Sequence, residues 1–129
     1  MIALLRLCRF YYALPMAAAF LLTIYYARGG RMESRWTADL VAAGALMLVI
    51  AAAYVLNDVL DCHIDRVNAP GRPLPSGAVR RSAALAWGIV LMIGGVVVAS
   101  QGRPQFLAAL AAVAVVVTCY DLLSKRLGL

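Results

Sequence analysis

Three carboxylates and a carboxamide stand close together in an otherwise apolar chain: Asn57, Asp58, Asp61 and Asp65. If a helix runs through them, Asp58, Asp61 and Asp65 fall at i, i+3 and i+7, and Asn57 lies four before Asp61. Positions three and four apart share a helix face, so the four polar groups converge and the carboxylates repel one another. They also end an apolar run, where a helix C-terminus disfavours anions by roughly 0.3–1 kcal/mol each. A sequence shaped only by folding gains nothing from this arrangement. A divalent cation reverses the sign. Mg2+ takes oxygen ligands, keeps several waters and bridges one or two carboxylates to substrate phosphates, so Asp58, Asp61 and Asp65 are the candidate metal ligands. The bland reading is a solvated helix end with ordinary surface acids; ionisable residues at a membrane boundary weigh against it.

Basic residues follow directly. Arg66 and Arg72 offer planar, bidentate donors suited to diphosphate oxygens. Pro70, Pro73 and Pro75 stiffen this connection, and Gly71 and Gly77 allow tight turns. Arg80 and Arg81 serve equally well as anchors of the next helix or as phosphate contacts. His63, the single histidine, has no second His or Cys at ligand spacing and lies off the face shared by the three Asp residues. Tyr11, Tyr12, Tyr25, Tyr26 and Tyr54 read as belt or packing residues, with Tyr54 singled out by its place four residues before Asp58.

The elements that carry these groups are apolar. Hydrophobic residues make up 64% of the 129, and the mean hydropathy is +0.86, above the range of soluble domains. Four uncharged blocks run from Phe10 to Ala27, Leu40 to Leu56, Ala83 to Ala99 and Phe106 to Tyr120. A spanning helix needs roughly 17–25 residues, and snorkelling arginines extend such blocks at their ends. Too little polar sequence remains to cover four such helices in water. The expectation is an all-α membrane protein with four transmembrane helices in one domain, residues 1–129. Its connections are a short polar loop from Arg28 to Trp36, a long one from Asn57 to Arg81, and a turn from Ser100 to Pro104. Thr37 is the expected N-cap of the second helix, and Pro104 suits the first turn of the fourth.

The net charge of +6 follows membrane topology and does not point to nucleic acid. Arg6, Arg9, Arg66, Arg72, Arg80, Arg81, Lys125 and Arg126 fall on one side, against Arg28, Arg31, Arg35 and Arg103 on the other. The positive-inside rule then places the N-terminus and the Asn57–Arg81 connection in the cytoplasm, in a plasma or inner membrane. Arg6 and Arg9 read as topology determinants. The first block is longer than a secretory h-region, and Ala27-Arg28-Gly29-Gly30 is a poor cleavage site, so it reads as a retained helix. Cys8, Cys62 and Cys119 have no paired spacing and read as packing residues. Trp36 and Trp87 near helix starts read as interfacial anchors. Small residues, among them Ala51 to Ala53 and Gly94-Gly95, suit close helix packing.

The stretch Asn57-Asp58-x-x-Asp61-x-x-x-Asp65, followed by Asn68-x-Pro70-x-Arg72-Pro73-x-Pro75-Ser76-Gly77, resembles the first signature of the UbiA superfamily of intramembrane prenyltransferases. Its form looks most like the geranylgeranylglyceryl phosphate synthase and chlorophyll synthase branches. The resemblance implies that Asn57, Asp58, Asp61 and Asp65 hold Mg2+ and a prenyl diphosphate, with Arg72 near the diphosphate. It also matches Tyr120 to a tyrosine facing the allylic cation and Lys125 to a lysine on the leaving diphosphate, although Asp121 and Ser124 depart from the commoner residues there. The implied reaction is Mg2+-dependent transfer of a prenyl group to a lipid-soluble acceptor: a prenylglycerol phosphate, a chlorin or an aromatic ring. The family's members carry further helices and a second Asp-rich motif, so the chain resembles the N-terminal half of that bundle. The rival expectation is a shortened, non-catalytic membrane protein that binds Mg2+ and diphosphate lipid or packs with another chain.

Overall fold

A computed structural model describes residues 2–31, 36–101, 106–108, 110–112 and 115–116. Among these there is no strand. Four helices follow in order: α1 (Ile2–Leu7), α2 (Phe10–Ala27), α3 (Trp36–Asn68) and α4 (Arg81–Ser100). The described residues from 106 to 116 are also helical.

The apolar blocks explain where the helices lie, and the polar residues explain their lengths. α2 matches the first block residue for residue, with Pro15 inside it; membrane helices tolerate such a proline where neighbouring groups take up the freed carbonyl. α4 extends the third block by a few residues at its ends. α3 is the exception. Its 33 residues span about 50 Å at 1.5 Å per residue, against about 30 Å for a bilayer's hydrocarbon core. The polar connection expected to begin at Asn57 therefore begins after Asn68, and the acidic residues ride on a helix that outruns its apolar segment. The helix already includes Trp36, so Thr37 lies within its first turn and does not cap it.

Among the described residues, three helices are long and apolar enough to cross a membrane: α2, α3 and α4. Only part of the fourth block is described, and Pro104, Cys119, Tyr120 and Lys125 lie outside the described residues. What is described of that block starts by packing inward. The Phe106 ring lies 5.6 Å from that of Phe20, and Leu110 is buried with Ala45, Val49 and Ala99.

The hairpin of α3 and α4 is the scaffold. Buried α4 residues Ala84, Gly88, Leu91, Gly95 and Ala99 recur every three or four positions, a seam that faces one partner. Gly88 and Gly95 are small because α3 leaves no room. A Cβ on Gly88 would lie 2.8 Å from Cδ2 of Leu56, and one on Gly95 would lie 2.6 Å from Cγ2 of Val49 and 3.2 Å from the Ala45 carbonyl oxygen. These contacts run antiparallel, with early α4 beside late α3. A second buried cluster joins Leu7 and Cys8 to Ala52, Val55, Val59 and Cys62 of α3, and to Leu74 and Val79 of the α3–α4 connection. That cluster lies directly under the acidic face. Trp87 belongs to it as well: its indole N–H donates to Cys8 Sγ at 3.3 Å. It therefore ties α4 to the α1–α2 junction and is not a free interfacial anchor.

Candidate functional site

The late turns of α3 carry the polar groups as helical spacing requires. Asp58 and Asp65 are buried, Asn57 and Asp61 half-buried, and His63 and Arg66 exposed. Asp58 and Asp65 are the only charged residues among the described buried ones, and a buried charge stands only when paired or hydrogen-bonded.

Arg72 meets that requirement from the connection. After Asn68 the chain turns back: Ala69 N–H donates to the Asp65 carbonyl at 2.8 Å and Arg72 N–H to the Ala69 carbonyl at 3.1 Å. Ser76 N–H reaches the Arg72 carbonyl at 3.0 Å, and Val79 N–H reaches that of Pro73 at 3.0 Å. Gly77 takes a left-handed φ of 76° where the loop reverses, a conformation glycine adopts without a Cβ penalty. With Leu74 and Val79 buried, the loop is pinned to α3 and Arg72 is aimed at the acids. Its Nη1 donates to Asp65 Oδ2 at 2.6 Å and stands 3.9 Å from Asp58 Oδ1. The hydrogen bond to Asp65 pushes the already basic Arg72 guanidinium further up, so it is cationic at every pH of interest.

The second cation comes from the other end of the sequence. Arg9 Nη2 donates to Asp58 Oδ1 at 2.6 Å across 49 residues of chain. Its guanidinium carbon also lies 5.3 Å from the centre of the Tyr54 ring, within cation–π range, and Tyr12 packs beside Tyr54 at 5.9 Å. Arg9 separates α1 from α2 with φ 45° and ψ 46°, a left-handed conformation costing roughly 1–2 kcal/mol for a residue with a Cβ. Its reading as a topology determinant misses this. No sequence signal named Arg9.

Beside the ion pairs lies a cleft of about 830 Å³, into which Arg6, Arg9 and Arg72 face together with Ile2, Leu5 and Phe10. Its lining is both basic and apolar. Arg66, expected to share in diphosphate contacts, is exposed on the last turn of α3; being next to Asp65 in sequence, it points off the acidic face. Tyr120 and Lys125 are not among the described residues.

As a metal centre the face is incomplete in this geometry. Among the described residues no group of three His, Cys, Asp or Glu side chains converges closely enough to hold an ion. The oxygens of Asp58 and Asp65 hold guanidinium groups instead. The donor type nevertheless fits Mg2+, which needs only one or two carboxylates when phosphate oxygens and waters complete its shell.

The UbiA prenyltransferase family matches residues 7–129. Among curated relatives, digeranylgeranylglyceryl phosphate synthase of Metallosphaera sedula is 41% identical over 104 residues, covering 75% of this chain and 36% of the relative. The enzyme of that name from Methanoregula boonei is 46% identical over 65 residues, covering 50% and 23%. That from Methanothrix thermoacetophila is 39% identical over 84 residues, covering 65% and 31%. The chain thus spans about a third or less of the length of these relatives. No solved structure matches it.

Proposed function

This chain belongs to the UbiA prenyltransferase family, and on that premise we propose that it takes part in Mg2+-dependent transfer of a prenyl group from its diphosphate to a lipid-soluble acceptor. The observation that carries the reading is the junction of an acidic helix face with a basic cleft at the end of apolar helices. Asp58 and Asp65 are buried there, Arg9 and Arg72 are bonded to them, and the cleft beyond is lined by three arginines. The names of the relatives favour a prenylglycerol phosphate as acceptor over a chlorin or an aromatic ring.

In this reading Asp58, Asp61 and Asp65 hold the metal, and Asn57 donates to a phosphate oxygen. Arg72 takes further diphosphate oxygens, Arg66 pointing away from them, and the remaining positions of the motif, Tyr120 and Lys125, flank the reacting carbon and the leaving group. Bound Mg2+ supplies charge neutralisation for the departing diphosphate. As the carbon–oxygen bond breaks, its electron pair leaves with the diphosphate, and guanidinium groups beside it stabilise the charge that grows there, a kind of stabilisation that often dominates catalysis. The acceptor oxygen then bonds to the allylic carbon and loses its proton. The apolar faces of α2 and α4 hold the isoprenoid tail and keep water from the cation. The N-terminus and the α3–α4 connection lie on the cytoplasmic side, by the distribution of Arg and Lys.

The test is transfer from a radiolabelled prenyl diphosphate in the presence of Mg2+, comparing the purified chain with Asp61→Ala. The variant is expected to lose transfer and to bind the diphosphate more weakly. Equal inactivity of the two, with diphosphate binding unchanged, would sink both the site and the enzymatic reading.

A further inference from the structure

Two arginines reach the same acidic face from opposite directions, and both also line the same cleft. Arg9 comes from the α1–α2 junction and Arg72 from the α3–α4 connection. Their targets cannot stay bare: the side chains of Asp58 and Asp65 are only 5% and 10% exposed, and an unpaired carboxylate there carries a large desolvation penalty. The arginines are far less enclosed, Arg72 at 41% and Arg9 at 21%. The carboxylates are therefore the fixed half of each pair and the guanidinium groups the movable half.

We propose that Arg9 and Arg72 are exchangeable counterions. They hold Asp58 and Asp65 while the site is empty of substrate, then turn into the cleft to take diphosphate oxygens, releasing the carboxylates for the divalent ion. This rests on the prenyl-diphosphate reading above and gives that site its order of events. Asp58 Oδ1 is the contested atom, with Arg9 at 2.6 Å and Arg72 at 3.9 Å. A divalent cation at Oδ1 would be repelled by both guanidinium charges beside it. Two guanidinium charges and a dication exceed the charge of three carboxylates; the diphosphate is the anion that draws the guanidinium groups away, and its oxygens suit the guanidinium fork better than a single carboxylate oxygen does. The Tyr54 ring gives Arg9 a second point of rest that does not depend on Asp58. Arg9 is on this account a positioning residue for the metal and a binding residue for the diphosphate.

The experiment uses the whole chain in detergent, with Mn2+ as the probe cation followed by electron paramagnetic resonance and a radiolabelled prenyl diphosphate as the probe anion. Exchange makes two opposite demands on Arg9→Gln: Mn2+ alone binds about tenfold tighter, since a charged hydrogen-bond competitor is gone, and the diphosphate with Mn2+ binds about tenfold weaker. Arg72→Gln shows the same pair of shifts and carries the test if Arg9→Gln does not fold. Arg9→Lys restores the low affinity for Mn2+ alone. Loss of both affinities together, or no change in Mn2+ binding in either variant, overturns the exchange while leaving the function standing. A wild-type chain that binds Mn2+ but no prenyl diphosphate overturns the functional reading and the exchange with it.

Discussion

The two ends of the α2–α3 hairpin both carry arginine–aspartate pairs, and they are built on opposite terms. At one end Arg28 is the C-cap of α2 and Asp39 lies in the first turn of α3, so each charge suits the dipole of its own helix. The pair is bidentate: Arg28 Nη1 donates to Asp39 Oδ2, and Nη2 donates to Oδ1 at 3.1 Å. At the other end Arg9 stands at the N-cap of α2, where a cation is disfavoured, and Asp65 in the last turn of α3, where an anion is disfavoured. There the bonds are made through single oxygens, and Asp58 Oδ1 is shared between two guanidinium groups. The first end is a bidentate pair that fastens two helices. The second concentrates charges that their helices do not favour, beside a basic cleft.

The sharpest way to break this comparison is to remove one carboxylate from each end. Asp65→Ala is expected to weaken prenyl diphosphate binding in Mg2+ by about 100-fold, because it removes a proposed metal ligand and leaves Arg72 without its fixed partner. Asp39→Ala is expected to leave that affinity within about twofold, as additivity holds for distant sites. Equilibrium binding of radiolabelled diphosphate to the two variants measures both, and comparable losses would erase the distinction.

A smaller effect tests the scaffold that both ends share. Gly95→Ala is expected to destabilise the chain by about 1–3 kcal/mol, since overpacking a tight interface costs that much and its new methyl meets the backbone carbonyl of Ala45 as well as Val49. Gly88→Ala meets mainly the flexible end of Leu56 and is expected to cost less. Thermal unfolding in detergent ranks the two, and the reverse order would show that α3 and α4 separate differently along their length.

The smallest expected effect belongs to the bidentate pair itself. Arg28→Gln is expected to lower stability by less than about 1 kcal/mol, since both partners keep some exposure to solvent, with Mn2+ and diphosphate binding unchanged. A large loss of stability would mean that the Arg28 end does more than fasten the hairpin. A change in ligand affinity would mean that the two ends are coupled.

The sequence by itself determined the membrane character of the chain, the placement of its apolar helices and the acidic face. These depend on local quantities: the length of an uncharged run and the three- and four-residue spacing of Asp58, Asp61 and Asp65. It pointed to Arg72 as well, as a planar bidentate donor and through the resemblance of the stretch around it to the family signature. Only the tertiary structure decided that α3 runs on to Asn68, since Asn57–Asn68 is polar enough to pass for a loop until Val59, Cys62, Leu74 and Val79 bury one side of it. Only the tertiary structure, likewise, brought Arg9 to Asp58. Nothing local distinguishes Arg9 from Arg6, three residues earlier at the same membrane boundary. The left-handed turn at Arg9 and the packing of α2 against α3 select it, and those are properties of two helices together that neither stretch of sequence holds alone.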